Sequence, residues 1–184
     1  KNAEIRGNSD LKIAKLHNAD LRWEFFPSGS QVISVGGFYK SISNPVEFSI
    51  DISQPFTTFT FENEKSATIY GLEFEFRKNF SFLGEKQVWN DLVIFSNLAL
   101  IKSKLAFDEG SQAKANRSLQ GQSPYVVNAG IQYESEDNGW FGSVVVNQIG
   151  RRIAFVGVDP NFGDTRQDIY EAPRMVLDLQ VGKN

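Results

Sequence analysis

A chain of 184 residues is long enough for one domain with a core of its own, and nothing in its length calls for a second. Its 19 basic and 22 acidic side chains are interspersed and leave a net charge of -3, so no single-sign field exists to gather nucleic acid. Cysteine is absent and histidine and methionine occur once each, which removes disulfides, thiol nucleophiles and thiolate metal sites while leaving the compartment open.

Sixteen Phe, five Tyr and three Trp suit strands and lipid interfaces. No stretch approaches the ~18 consecutive apolar residues of a transmembrane helix, whereas a tilted strand crosses the hydrocarbon with roughly 9–11 residues of alternating character. No secretory signal opens the chain, so a mature chain or a fragment is expected.

Alternation begins in "HNADLRWEFF", where Leu21, Trp23 and Phe25 are apolar and Asn18, Asp20, Arg22 and Glu24 alternate with them. "PSGS" (27 to 30) is a tight turn, and "VISVGGFYKSI" (32 to 42) a strand that is apolar on both sides over part of its length. A long connection follows (43 to 65), within which "TTFTFEN" reads as a strand-like extension. In "SATIYGLEFEFRKNF" (66 to 80) Tyr70, Leu72, Phe74, Phe76 and Phe80 take the even positions and Glu73, Glu75 and Arg77 the odd ones. "SFLGEKQVW" (81 to 89) is a connection of moderate length. Residues 91 to 105 read as strand, with helix as the competing reading because Leu, Ile and Lys tolerate it. The polar connection 107 to 123 is long. "YVVNAGIQYE" (125 to 134) alternates cleanly, "SEDNG" (135 to 139) is short, and 140 to 155 reads as one strand. A long connection (156 to 173) leads to "RMVLDLQVGK", where Met175, Leu177, Leu179 and Val181 oppose Arg174, Asp178 and Gln180.

The fold class is therefore all-β: an antiparallel up-and-down meander of about seven long strands in a single segment, 1 to 184, with tight turns on one edge and long connections on the other. Short turns opposite long loops are the asymmetry of a transmembrane barrel. The same alternation serves two architectures, since the aromatic side can face lipid or a second layer of protein.

"NADLRWEFFPSGSQVISVGGFYKSISNPVE", "ATIYGLEFEFRKNF", "SLQGQSPYVVNAGIQY", "NQIGRRIAFVG" and "DIYEAPRMVLDLQVGK" resemble the C-terminal part of the β-barrel of TonB-dependent outer-membrane receptors, from about Asn18 to Lys183. The resemblance lies in the order and spacing of segments more than in any single motif. It implies a plugged barrel of about 22 strands that takes up scarce ligands at the expense of the proton gradient. No stretch resembles the plug domain or the box that contacts TonB, and "LQVGKN" is not the usual ending, so a fragment holding roughly a third of a wall is expected. The expected localisation is the cell outer membrane. The expected partners are outer-membrane lipid, a transported ligand of unknown identity and, through a plug domain, the TonB complex.

Catalytic and metal-binding residues are expected to be none. His17 has no second His or Cys to partner it, and Glu73 with Glu75, roughly 7 Å apart on one side of a strand, reads as a hydrated ladder with Arg77 in preference to a glycoside-cleaving pair. No phosphate-cradle spacing occurs, so neither an enzyme nor a cofactor is expected. Arg151 and Arg152 read as a strand end at the outer rim, facing headgroup phosphates, lumen carboxylates or plain solvent. "NFS" (79 to 81) and "NRS" (116 to 118) fit a glycan acceptor pattern that arises often by chance. Trp23, Phe25, Phe26, Trp140 and Phe141 cluster at the tight-turn edge, as an aromatic girdle does. Ligand-binding residues stay unknown, and the long connections are where they are sought. The competing function is a soluble β-sandwich binding module, with carbohydrate as the ligand class, and with the aromatics as its dry core.

Overall fold

Residues 3–28, 31–51, 56–107, 117–158 and 168–183 are described by the structure, a computed structural model. Strands form at β1 (Ala3–Ile5), β2 (Lys15–Phe25), β3 (Val32–Ser43), β4 (Val46–Asp51), β5 (Thr57–Asn63) and β6 (Ser66–Asn79). They continue with β7 (Leu92–Ala106), β8 (Tyr125–Glu134), β9 (Trp140–Ile149), β10 (Arg152–Val158), β11 (Ile169–Glu171) and β12 (Arg174–Lys183). One 3-10 turn (Ser81–Leu83) and the short helix α1 (Gln87–Asp91) lie between β6 and β7. No helix among the described residues is long and apolar enough to cross a membrane, which says nothing about crossing by strands.

Seven strands pair in the spatial order β2-β3-β6-β7-β8-β9-β12, which is also their chain order, and every pair is antiparallel. The shortest of them have 10 residues, enough to cross the hydrocarbon at a tilt. The connections alternate as expected. β2–β3, β6–β7 and β8–β9 close at one edge, the last through Gly139, whose φ of 69° is easy only for glycine. Residues between β3 and β6, β7 and β8, and β9 and β12 leave from the other edge. Of the segment 91 to 105, residues 92 to 105 are strand, because β7 completes ladders with β6 and β8 on both sides, and only Asp91 is helical, as the end of α1. Gly29 and Ser30, and much of the connections 107 to 123 and 156 to 173, lie outside the described residues.

Register carries the alternation across the whole sheet. Trp23 faces Val35, Val35 faces Phe74, Phe74 faces Leu98 and Leu98 faces Val127. In the row beside it Ala129 faces Val146 and Val146 faces Leu177. A slip of one residue in any ladder would invert every side chain beyond it, and none occurs. One face is therefore apolar from β2 to β12. It has no cover among the described residues: Phe74 is 38% exposed, Leu177 65% and Leu21 82%. A β-sandwich would bury these side chains against a second sheet, so that reading is not favoured.

The opposite face is polar and also carries aromatic rings paired with glycines. Phe38 lies opposite Gly71, Phe95 opposite Gly130, and Phe141 opposite Gly182. At each glycine an added Cβ would run into the partner's ring, so the ring occupies the volume a side chain would need. The pairing covers bare backbone with aromatic surface and pins the register. This also corrects the expected girdle, because Phe141 points to the polar face onto Gly182 while Trp140, one residue away, points to the apolar one beside Lys183.

A second sheet, ordered β1-β5-β4-β10-β11, assembles from the long connections and the N-terminal segment. Two of its pairings, β1 with β5 and β4 with β10, are parallel and join distant parts of the chain. "TTFTFEN" is β5, as expected, whereas "VEFSID" forms the strand β4 without having been foreseen. The expected single strand 140 to 155 is in fact β9 and β10, broken at Gly150 and Arg151. The Gly150 N–H donates to the Tyr125 carbonyl (3.1 Å) and to Ser123 Oγ (2.8 Å), which fixes the chain where it leaves one sheet for the other. Most of the buried apolar side chains, Ile50, Ala67, Leu105, Ile153 and Val156 among them, gather at this edge.

Replacing Gly182 by alanine should destabilise the folded full-length protein by about 1–3 kcal/mol, as overpacking does. Adding Phe141→Ala should remove most of that penalty. A double-mutant cycle from denaturant unfolding in lipid vesicles checks this, and strictly additive single effects would show that the ring and the glycine do not interact.

Candidate functional site

The long-connection edge is built around one buried carboxylate. Glu47 lies on β4 on the face away from Phe48 and Ile50, and only 2% of it is exposed. Burying a charge there is tolerable only with partners, and Arg117 supplies them from a segment 70 residues away. Its Nη1 donates to Glu47 Oε1 at 3.0 Å and its Nη2 donates to Oε2, giving the two-pronged pairing that suits a guanidinium. The Gln120 N–H completes the set with a 2.9 Å bond to Glu47 Oε1, and Glu64 lies 3.6 Å from Arg117 Nη2. Burial disfavours the charged guanidinium, but the hydrogen bonds and charge of Glu47, with Asp168 and Glu64 adding to them, outweigh it and hold Arg117 above its ordinary pKa.

Gln120 extends this network into the second sheet. β4 and β10 are hydrogen-bonded from Ser49 and Val156 onward, and Gln120 joins them just before that point. Its Nε2 donates to the carbonyls of Phe48 and Ala154, each at 2.8 Å, and its Oε1 accepts from the Phe48 N–H at 2.7 Å. The side-chain amide thus stands in for a peptide of the ladder. Ser103 Oγ accepts the Leu119 N–H at 2.9 Å, and the Leu105 N–H reaches the Arg117 carbonyl at 3.2 Å, so the same segment is also tied to the end of β7.

On the other face of β4 and β5 the rings of Phe48, Phe59, Phe61 and Phe155 pack with centroids 4.7 to 5.7 Å apart. Phe61 is 41% exposed and Ile5, on the neighbouring β1, is 74% exposed, so the cluster presents an apolar surface to its surroundings. Chemically the edge offers aromatic and aliphatic contact beside a rigid, fully paired charge network.

The residues singled out from sequence fall elsewhere. Glu73 and Glu75 lie on the polar face of β6, where Arg22 bonds Glu24 (2.7 Å) and Glu75. The polar row continues through Asn97, Asn128 and Asn147, which follow Glu75 in register, and Asn147 donates to Asp178 at 3.3 Å. Of the expected ladder of Glu73, Glu75 and Arg77, the structure engages Glu75, and it does so through Arg22, a contributor that sequence spacing could not reveal. His17 is exposed as the third residue of β2 and joins no metal-binding cluster among the described residues. Among the described residues no three His, Cys, Asp or Glu side chains converge to hold a metal.

Arg152 pairs with Glu171 of β11, both its Nε and Nη2 lying 2.7 Å from the carboxylate. The hydrogen bond from Arg152 holds the Glu171 carboxyl below its ordinary pKa. Arg151 stacks over Tyr170 at 3.8 Å. Both arginines therefore engage the last long connection and not the lumen wall. Asn79 of "NFS" is engaged through Oδ1 by Gln31 (2.9 Å) and Ser81 (2.8 Å), and Asn116 of "NRS" lies outside the described residues.

With the seven-strand wall, its single apolar face and its asymmetric edges in view, comparison with known proteins is decisive. The pattern described as TonB dependent receptor-like, beta-barrel matches residues 1–184. The chain belongs to the TonB-dependent receptor β-barrel family. Proteins of this family are outer-membrane receptors that bind transported ligands and contact TonB, and it is not a family of enzymes. Among solved structures, the copper transporter OprC is similar at 14% identity and a TM-score of 0.65, over 97% of this chain and 25% of that one. The ferric yersiniabactin uptake receptor FyuA from Yersinia pestis is similar at 14% identity and 0.60, over 92% and 22%. The FrpB iron transporter from Neisseria meningitidis (F3-3 variant) is similar at 9% and 0.58, over 98% and 26%. The chain thus spans about a quarter of these structures, and at such identities the likeness shows the fold alone. No curated protein sequence matches it.

Glu47→Ala, which leaves Arg117 buried without its main partner, should weaken the long-connection assembly by about 3–5 kcal/mol. Amide hydrogen exchange of the full-length protein should accelerate in β4 and in residues 117 to 124 while β6 stays protected. Unchanged exchange there would mean that the pair does not hold the connections together.

Proposed function

We propose that residues 1 to 184 form one stretch of barrel wall in an outer-membrane receptor that takes up a scarce ligand across that membrane. The carrying observation is the continuous apolar face of seven antiparallel strands, left uncovered, opposite a polar face laced by Arg22, Glu75 and Asn147. Lipid satisfies the first face and a hydrated lumen the second, while the five inner strands are hydrogen-bonded on both sides. The edge with long connections faces the exterior, as in barrels of this kind, and the short turns face the periplasm.

The ligand approaches from the long-connection edge, and its contacts are sought in the segments 43 to 65, 107 to 123 and 156 to 173. The aromatic surface around Phe48 and Phe61 is the described part of that edge suited to contact. The named cargoes of the similar structures, copper and ferric siderophore or iron, support a scarce metal or its chelate as the class to test first. Coupling to the TonB complex through the plug of the whole receptor belongs to the same reading. This stretch contributes wall and ligand surface, not enzymatic chemistry.

Cells making the full-length protein should carry it in the outer-membrane fraction, released only by detergent. Phe74→Arg should lower folding stability in bilayers by about 2–4 kcal/mol if that position sits near the midplane. A protein soluble and monomeric in plain buffer, or indifferent to arginine at Phe74, would contradict the reading.

A further inference from the structure

We propose that Asn138 is a self-modification site: in the folded β8–β9 hairpin its side chain condenses with the Gly139 nitrogen, releases ammonia and reopens as an isoaspartyl or aspartyl linkage. The inference goes beyond the receptor reading and does not depend on the membrane orientation.

An asparagine precedes a glycine once in the chain, at 138 and 139. Glycine leaves the attacking nitrogen without a neighbouring side chain, and the φ of 69° at Gly139 is a conformation that other residues rarely adopt. The turn is closed by the Ser135 N–H, which donates to the Trp140 carbonyl at 3.0 Å. Within it Asn138 is exposed, and its Oδ1 accepts the Trp140 N–H at 3.0 Å.

That contact makes an Asx turn, which curls the Asn138 side-chain carbonyl back toward the Gly139 nitrogen, as attack requires. The Trp140 N–H then sits on the oxygen that takes up negative charge as the nitrogen adds. On the other side of the same side chain, Asn138 Nδ2 lies 3.5 Å from the Tyr133 hydroxyl. A phenol both accepts and donates, so it receives the intact amide and protonates the departing one.

The chemistry consumes one water and needs no cofactor. The Gly139 N–H gives its proton to water or hydroxide, and its bond to the Ser135 carbonyl (3.1 Å) is the hydrogen bond that must open. The nitrogen bonds to Asn138 Cγ, the Cγ–Nδ2 bond breaks, and Nδ2 takes a proton and leaves as ammonia. Water then opens the imide at either carbonyl and leaves a carboxylate. Opening at the main-chain carbonyl keeps Gly139 attached through Cγ, which inserts one methylene into the turn and loosens the end of the β8–β9 ladder.

Asn8 is the comparison within the same chain. Its Oδ1 accepts the Asp10 N–H at 2.9 Å, the same Asx turn, but Ser9 follows it and its Nδ2 donates to the Phe61 carbonyl at 2.9 Å. That carbonyl holds the amide and has no proton to give it.

The test keeps the folded full-length protein in neutral buffer made with heavy-oxygen water, so that conversion during the incubation carries the label. Residues 8 and 138 are then read by peptide mass spectrometry. Asn138 should convert, chiefly to the isoaspartyl form, at least about tenfold faster than Asn8. Tyr133→Phe, which keeps the ring and drops the hydroxyl, should slow Asn138 about tenfold in the folded protein and leave it unchanged in urea. Folded wild type should convert no more slowly than wild type in urea, a comparison that needs no variant. Asn138 that stays intact in the folded protein while converting in urea would overturn the site. An unchanged rate in folded Tyr133→Phe would overturn the delivery of a proton by the phenol, and with it the proposal as stated.

Discussion

Backbone hydrogen bonding between antiparallel neighbours leaves a strand only one freedom, its register, and the whole arrangement depends on that register holding through six successive ladders. Because side chains alternate with a period of two, a consistent register converts seven separate patterns into two continuous faces. Phe74 joins Val35 and Leu98 on one face, and Glu75 joins Ser34 and Asn97 on the other. Neither face makes sense alone in water: the first is too apolar and the second too thinly packed for a core. Together they describe a wall between hydrocarbon and an aqueous lumen, and the glycines that accept Phe38, Phe95 and Phe141 help to pin its register.

The long-connection edge solves a different problem. Segments that leave a barrel carry unpaired backbone groups, and here they find partners in each other. Glu47 and Arg117 neutralise one another inside the assembly, and Gln120 bridges β4 and β10 where their own bonds have not begun. A buried ion pair of this type contributes little net stability against an apolar substitute, yet removing one partner is costly, so it specifies which connections come together. The result is a hydrogen-bonded scaffold that displays the rings of Phe48, Phe59, Phe61 and Phe155.

The wall was legible in the sequence because its physics is local. β6, β8 and β12 follow from alternation within ten to fourteen residues, and the unequal connections follow from composition alone. What escaped was non-local. The strand pattern of "VEFSID" is short and sits between turn-forming residues, and its partners come from β5 and from β10, over a hundred residues away. The break at Gly150 hides inside an apolar run, since only tertiary contacts with Ser123 and Tyr125 mark it. Adjacency in sequence suggests one cluster for Trp140 and Phe141, although adjacent residues of a strand face opposite ways. The pairing of Glu47 with Arg117 leaves no sequence signal at all.

The account stands on the apolar face being solvated by acyl chains. Nitroxide side chains placed singly at Phe74 and Leu177, and for contrast at Glu73 and Gln180, in the full-length protein in bilayers test this through collision with molecular oxygen and with a water-soluble nickel chelate. Labels at Phe74 and Leu177 should collide preferentially with oxygen, as lipid-exposed sites do, and those at Glu73 and Gln180 should not share that preference. Labels at Phe74 and Leu177 that are immobilised and shielded from both reagents would place a second layer of protein over this face and contradict the account.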